Sequence, residues 1–242
     1  MHLFYTPLLT PDHQQFLLDE SESKHAIRVL RLVKGSKVVL IDGVGGLYDA
    51  EILDPNPKRT TLNILRVQQG YQRSPYHLHI AMAPTKNMDR VEWFLEKATE
   101  IGIQEFTPII ATHSERKEVK IERLEKVAIS AMKQSLKAYL PKINPAITLK
   151  QFFQQDLSNY HSKNIAHCAD GEKKYVRQVA DPNTNYLVLI GPEGDFSAEE
   201  IDLALENGFQ AISLGESRLR TETAALMACV EVSLLNRLIA HS

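Results

Sequence analysis

Residues 186–201, YLVLIGPEGDFSAEEI, decide the fold class. Tyr186–Ile190 is a short apolar run that passes straight into Gly191-Pro192-Glu193-Gly194, where glycine and proline end a strand. Ser197 and Glu200 are spaced as a capping box and start a helix over 198–207. A strand that reaches a helix through one glycine-rich loop is half of a βαβ unit. Glycines at such a junction permit φ > 0 and let a ligand approach the backbone, as in cofactor loops at the C-terminal ends of parallel strands. On these residues alone, a tight βα turn without a ligand is an equally open reading.

The same pattern extends outward. YHLHIAM (76–82), EFTPII (105–110), NIAHC (164–168) and AISL (211–214) are further short apolar runs, each leading into a loop and then a helical pattern. Met88, Val91, Leu95, Ala98 and Ile101 share one helical face that Gly102 ends, and a longer amphipathic helix runs through Ile121, Leu124, Val127, Ala128 and Ala131. Strands alternating with helices predict an α/β fold whose parallel sheet is covered on both faces. The first 70 residues read differently. KVVLI (37–41), LYDAEIL (47–53) and TTLNILRV (60–67) are short strands divided by DGVGG and DPNPKR. One helical segment, SESKHAIRVLRLVKG (21–35), interrupts them, with Gly35 as its C-cap. A small β-barrel-like domain over 1–72 is expected, with the turn-rich QGYQRSP (69–75) leading into an α/β domain over 73–242.

The composition is that of an ordinary folded chain: 43% of the 242 residues are hydrophobic and 24% charged, which excludes disordered and fibrous classes. No apolar run approaches the roughly 18 residues needed to cross a bilayer, and the opening MHLFYTPLLTPDH has no basic n-region, so a cytoplasmic protein without a membrane partner is expected. Cys168 and Cys229 lack ligand spacing, and His77 and His79 alternate on a strand without an acidic or cysteine partner, so no metal site is expected. Charge is uneven. Residues 71–180 carry 17 Lys and Arg against 12 Asp and Glu, whereas 181–242 carry 3 against 10. The basic run through Arg116, Lys117, Lys120, Arg123, Lys126, Lys133, Lys137 and Lys142 suits a phosphate backbone. It equally suits a solvated helix face, because Glu115, Glu118, Glu122 and Glu125 stand at ion-pair spacing.

A second loop lies in SLGESRLRTETAALMACVEV (213–232). Arg218 and Arg220 share it, although only three basic residues follow position 180, which points to an anion or carbonyl contact more than to solvation. A plain N-cap loop with surface arginines is the alternative. Neither loop carries GxGxxG, GxxxxGK[ST] or GxSxG, which argues against dehydrogenase, P-loop and α/β-hydrolase chemistry.

IGPEGDFSAEEI and LGESRLRTETAA, about 20 residues apart, resemble the C-terminal signature of the ribosomal small-subunit RNA uridine-N3 methyltransferases, a branch of the knotted SPOUT superfamily. HAIRVLRLVKGS (25–36) resembles that family's N-terminal VLR segment, and KNMDRVEWFLEKATEIGI (86–103) resembles its K-x-x-R…KATELG helix. Four ordered segments thus span the chain. Lys133 and Lys137 depart from the family's usual Glu and Arg, and Asp195 stands where a second glycine is common, which puts in doubt any need for φ > 0 there.

The resemblance implies an N-terminal PUA-like RNA-binding barrel, a parallel sheet whose C-terminal part forms a trefoil knot, and a homodimer acting on 16S rRNA of the small ribosomal subunit. It implies S-adenosylmethionine as cofactor, with Leu189, Ile190, Gly191, Glu193 and Gly194 on one side and Leu214, Gly215, Leu219 and Arg220 on the other. Ala169-Asp170-Gly171-Glu172 would be a third contact. For methyl transfer to uracil N3, Arg220 suits charge developing on O2 or O4, while Glu222 or Glu193 would accept the proton. Arg28, Arg31, Lys86, Arg90, Arg116 and Lys137 would meet RNA. Two alternatives remain open: a knotted methyltransferase acting on tRNA or another rRNA position, and a non-catalytic RNA-binding or assembly factor.

Overall fold

A computed structural model describes residues 2–239, which divide into two compact units: the described residues up to 73 with 132–140, and 74–131 with the described residues from 141 onward. The partition differs from the expected one at 132–140, a segment that packs with the first unit.

The first unit holds β1 (Leu3–Tyr5), β2 (Gln15–Leu17), α1 (Glu20–Lys24), β3 (Lys37–Ile41), β4 (Leu47–Asp54) and β5 (Thr61–Gln68). Its sheet runs β1-β3-β4-β5-β2, antiparallel except for the parallel β1–β3 pair. Phe4, Phe16, Leu40, Tyr48 and Leu62, one from each strand, meet in a single core, so the sheet curls around it. The segment expected to be one helix over 21–35 is shorter. After α1 comes a π-helical turn, His25–Val29, and Arg31 at φ 55 ends it in the left-handed region. Gly35 is therefore a loop residue and not a helix cap. A second cluster joins Ile41 to Met132 and Ala138 from the inserted segment. Beside them Lys133 pairs with Glu22 at 2.9 Å.

The second unit holds β6 (His77–Met82), α2 (Met88–Ile101), β7 (Glu105–Ile110), α3 (Ile121–Gln134, its last turn in the first unit), β8 (Lys142–Ile143), β9 (Ile147–Thr148), α4 (Leu149–Phe152), β10 (Ser162–Ala166), β11 (Lys174–Tyr175), α5 (Val176–Val179), β12 (Asn185–Ile190), α6 (Ala198–Glu206), β13 (Gln210–Ser213) and α7 (Thr221–Ile239). All strand pairs are parallel, in the order β11-β13-β10-β12-β6-β7-β8, with β9 beside β7. β13 lies beyond β10, and the chain then returns, with α7 packing over β6 and β12 and against α2. Strand alternation sends Leu187 and Leu189 into a core with Phe152, Phe196 and Ile201. Tyr186 lies on the opposite face, where its hydroxyl meets Asn236 of α7. No described helix is long and apolar enough to cross a membrane.

The N-terminal edge of this sheet carries a buried polar cluster. His79, 3% exposed, lies 2.7 Å from both the Tyr160 hydroxyl and Thr107 Oγ1, and burial pushes its pKa down to about 4. Burial pushes the Glu105 carboxyl up, but hydrogen bonds from His77, Asn144 and Lys142 outweigh it and hold the group well below the usual carboxylate range. Both groups bind protons more weakly folded than unfolded, so both stabilise the fold at neutral pH. The His79 contribution is present above its unfolded value of 6.5 and is lost as pH falls toward 4; that of Glu105 is lost below about 4.5. Urea unfolding followed between pH 6.5 and 4 should show a loss of about 3 kcal/mol. The His79→Gln protein should show a flattened profile in that window, and an unchanged slope would remove His79 as its cause.

Candidate active site

Three parallel strands end level with one another: Ala166 of β10 pairs with Ile190 of β12 and with Ile212 of β13. The loops that follow enclose a cavity of about 720 Å³. Its wall comprises Ala166, His167, Cys168 and Lys173 after β10, residues 190–195 after β12 and residues 212–220 after β13. Thr221 and Ala224, from the first turn of α7, close it. Gly215 has φ +115 and nothing within 4 Å of where a Cβ would stand, so glycine supplies both the turn and the open space.

In the GPEG loop the glycines do not use the left-handed region expected of them. Gly191 allows close approach instead: a Cβ would stand 3.1 Å from the buried Phe196 ring, a tight contact that the ring would have to yield to. The left-handed residue is Asp195, at φ +65, contrary to the expectation for that position. Its carboxylate accounts for this: Oδ1 accepts from Phe196 N at 2.9 Å and Oδ2 from Cys168 N at 2.7 Å, tying the β12 loop to the β10 loop. Glu193 Oε1 accepts from Lys86 N at 3.0 Å. The Lys86 carbonyl in turn accepts from Nε and Nη2 of Arg116, both at 3.1 Å. The capping box starts α6 as the spacing predicts, and the free oxygen of Glu200 accepts from Thr112 N at 2.8 Å.

A second cavity, about 580 Å³, adjoins the first and shares Arg218, Leu219 and Arg220 with it. Asp89, Arg90 and Trp93 of α2 and Glu222 and Thr223 of α7 form its other walls. Glu222 is 7% exposed. One of its oxygens lies 3.8 Å from Arg90 Nε, and Oε2 has no hydrogen-bond partner.

Of the expected cofactor residues, Ile190, Gly191, Glu193, Gly194, Leu214, Gly215, Leu219 and Arg220 all line the first cavity. Leu189 does not: it is fully buried in the core on the other face of β12. Nor do residues 169–172; the third wall comes from His167, Cys168 and Lys173. β10 starts two residues earlier than its apolar pattern suggests: Ser162 and Asn164 are both buried in the sheet, where Asn164 Nδ2 donates to Ser162 Oγ at 2.8 Å, and His167 and Cys168 fall in the loop. His167 Nδ1 is buried there with no partner. Of the expected RNA contacts, Arg28, Arg31 and Lys86 are exposed, whereas Lys137 is half-buried and its pKa is lowered by burial. Arg116 turns Nε and Nη2 onto the Lys86 carbonyl and so holds that loop, and Arg90 faces Glu222.

Residues 72–233 match a family described as RNA methyltransferase domain, and residues 18–65 match RNA methyltransferase PUA domain. The chain belongs to this RNA methyltransferase family. A curated relative from Rickettsia conorii, ribosomal RNA small subunit methyltransferase E, is 29% identical over 86% of this chain and 84% of its own length. A crystal structure of a "probable rRNA-methyltransferase" from Porphyromonas gingivalis is 40% identical, with a TM-score of 0.90 over 98% of this chain and 99% of that one. The ribosomal RNA small subunit methyltransferase E of Neisseria gonorrhoeae, solved bound to S-adenosyl methionine, is 27% identical, with a TM-score of 0.87 over 98% of both chains.

Within this methyltransferase fold the Asp195 clamp is open to test. Asp195→Ala loses two charge-assisted bonds and places a β-carbon at positive φ, and should cost about 2 kcal/mol in urea unfolding. Asp195→Gly loses only the bonds and should cost about half as much. Equal stability of all three proteins would show that the clamp carries no load.

Proposed function

We infer that this chain is an S-adenosylmethionine-dependent methyltransferase of small-subunit ribosomal RNA that methylates N3 of a uridine in 16S rRNA. The observation that carries the reading is the pair of adjoining cavities, one ringed by the IGPEG and LGESRLR loops and the other walled by a buried carboxylate, with Arg220 common to both. The first cavity suits the cofactor. Its volume lies in the range of small-molecule sites, Gly215 leaves its face open, and the unpartnered Nδ1 of His167 offers a polar contact. When bound there, S-adenosylmethionine supplies an electrophilic methyl group on its sulfonium.

The protein's residues must do the rest. Uracil N3 carries a proton, so the base has to be unpaired and its imide charge favoured as the new bond forms. Arg220 stays protonated and cannot act as base, but its fork of donors can hold the charge growing on O2 or O4. The N-terminus of the 19-residue α7, next to Arg220, adds its positive end in the same sense. Of the two carboxylates, Glu222 and not Glu193 stands in the second cavity, with an unpartnered Oε2, and we take it as the proton acceptor. The N3 proton passes to Glu222, the N3 electron pair takes the methyl group, and N3-methyluridine and S-adenosylhomocysteine result.

The exposed charges of Arg28, Arg31 and Lys86 meet RNA phosphates in this reading. The enzyme works as a homodimer in the cytoplasm, where ribosomes are. Met227 and Leu234, seven residues apart on one face of α7 and each more than one-third exposed, supply apolar surface for the second subunit.

Calorimetric titration with S-adenosylmethionine should give one saturable site per chain. Mass-spectrometric mapping of 16S rRNA from cells lacking the protein should show one missing N3-methyluridine. No binding and no missing methyl group would overturn the reading. Arg220→Ala should keep cofactor affinity within a few-fold while turnover falls roughly 100-fold, the scale of a lost oxyanion donor. Near-normal turnover would take Arg220 out of the transition state.

A further inference from the structure

The second cavity contains a group that the fold alone does not explain. Glu222 is a carboxylate more than nine-tenths buried, it faces Arg90 only at 3.8 Å, and its Oε2 has no partner. Leaving a buried charge so poorly satisfied is costly, and such a group is retained where a ligand completes it. On the same wall stands Trp93, 43% exposed although it is the largest apolar side chain available, and the only tryptophan in the chain. An aromatic plane held open beside an unsatisfied acceptor matches the two needs of a lone nucleobase: a face to stack on and a partner for its hydrogen-bonding edge.

We propose that this cavity is the seat of the flipped uracil, with Trp93 as its stacking platform and Arg90 as the positioning residue that orients Glu222. This rests on the methyltransferase reading and adds the base-binding residues to it. Uracil presents N3–H, a donor, and Glu222 Oε2 is an acceptor. Cytosine presents an unprotonated N3 at the same place and would face the carboxylate lone pair to lone pair. The carboxylate thus selects uracil before it takes the proton. Arg218, Leu219 and Arg220 form the wall shared with the first cavity, so a base seated here turns its reacting edge toward the cofactor side.

Because Trp93 is the sole tryptophan, its fluorescence reads the site directly. The full-length protein saturated with S-adenosylhomocysteine is excited at the red edge of tryptophan absorption and titrated with uridine 5′-monophosphate and then cytidine 5′-monophosphate, the light absorbed by each nucleotide being corrected with free tryptophan as reference. Saturable quenching by the uridine nucleotide, with weaker quenching by the cytidine nucleotide, is expected. Glu222→Gln should erase that preference. In methylation assays on small-subunit RNA, Trp93→Ala should raise KM for RNA roughly ten-fold with cofactor affinity unchanged, and Trp93→Phe should restore most of the loss. Three outcomes would overturn the proposal: no quenching by either nucleotide, quenching that ignores the base, or fluorescence that follows protein concentration alone, which marks Trp93 as a subunit contact. Each can occur while cofactor binding and rRNA methylation stand, so failure here is distinct from failure of the methyltransferase reading.

Discussion

Everything in the catalytic unit depends on the parallel register that ends β10, β12 and β13 at one level. Because Ala166 stands beside both Ile190 and Ile212, three loops leave the sheet from neighbouring points in the same direction. Parallel strands need long crossovers, so these loops are separated in sequence by helices that cover the sheet and bury its apolar faces. Convergence of the loops is thus a by-product of sheet packing. Each strand delivers its core residues to the interior and its first polar residues to the cavity within two or three positions, as Leu189, Ile190 and Gly191 do in succession.

Loops placed together still have to be held in shape without occupying the space between them. Backbone-directed hydrogen bonds do this: Asp195 grips Cys168 N, Glu193 grips Lys86 N, and Arg116 grips the Lys86 carbonyl. These are charge-assisted contacts to main chain, short and directional, and they leave the cavity wall rich in glycine and free backbone. Four acidic or basic side chains are consumed in positioning when Glu200 on Thr112 is counted, which explains why so few of the charges near the cavity remain for a ligand. Glu216, Arg218 and Arg220, on the third loop, line the cavity and are exposed.

Legibility in the sequence followed the reach of the forces involved. The α6 capping box and the end of α2 at Gly102 rest on contacts within four residues, and both stand where the spacing put them. The IGPEG and LGESRLR loops were legible as chemistry because glycines and paired arginines are out of place in an acidic tail. What escaped depends on partners distant in sequence. Leu189 looks like a neighbour of the loop until the alternation of β12 turns it to the core. The start of β10 is masked by Ser162, a polar residue buried in the sheet whose hydroxyl accepts from the Asn164 side-chain amide. Position 195 shows a third kind of case: the departure from glycine put the need for φ > 0 in doubt, yet the aspartate adopts it and its carboxylate builds bonds that stabilise it there.

The segment 132–140 follows from the same reasoning applied to the first unit. A sheet of five short strands with a short helical segment encloses only a small core, and Ile41 at the end of β3 would lose part of its cover if the unit stopped at residue 73. Met132 and Ala138 cover it, and Gly45 N donates to the Ala138 carbonyl at 2.9 Å. Lys133 gives its departure from the family pattern a local sense, because it meets Glu22 across this contact with both side chains less than one-third exposed. The pair is worth about 1 kcal/mol at most, less than the apolar cover beside it, so its role is to select the register in which Met132 and Ala138 arrive. The N-terminal unit is therefore completed by residues that lie beyond the first helices of the catalytic chain, and a cut at the turn-rich linker would remove part of its core along with the enzyme.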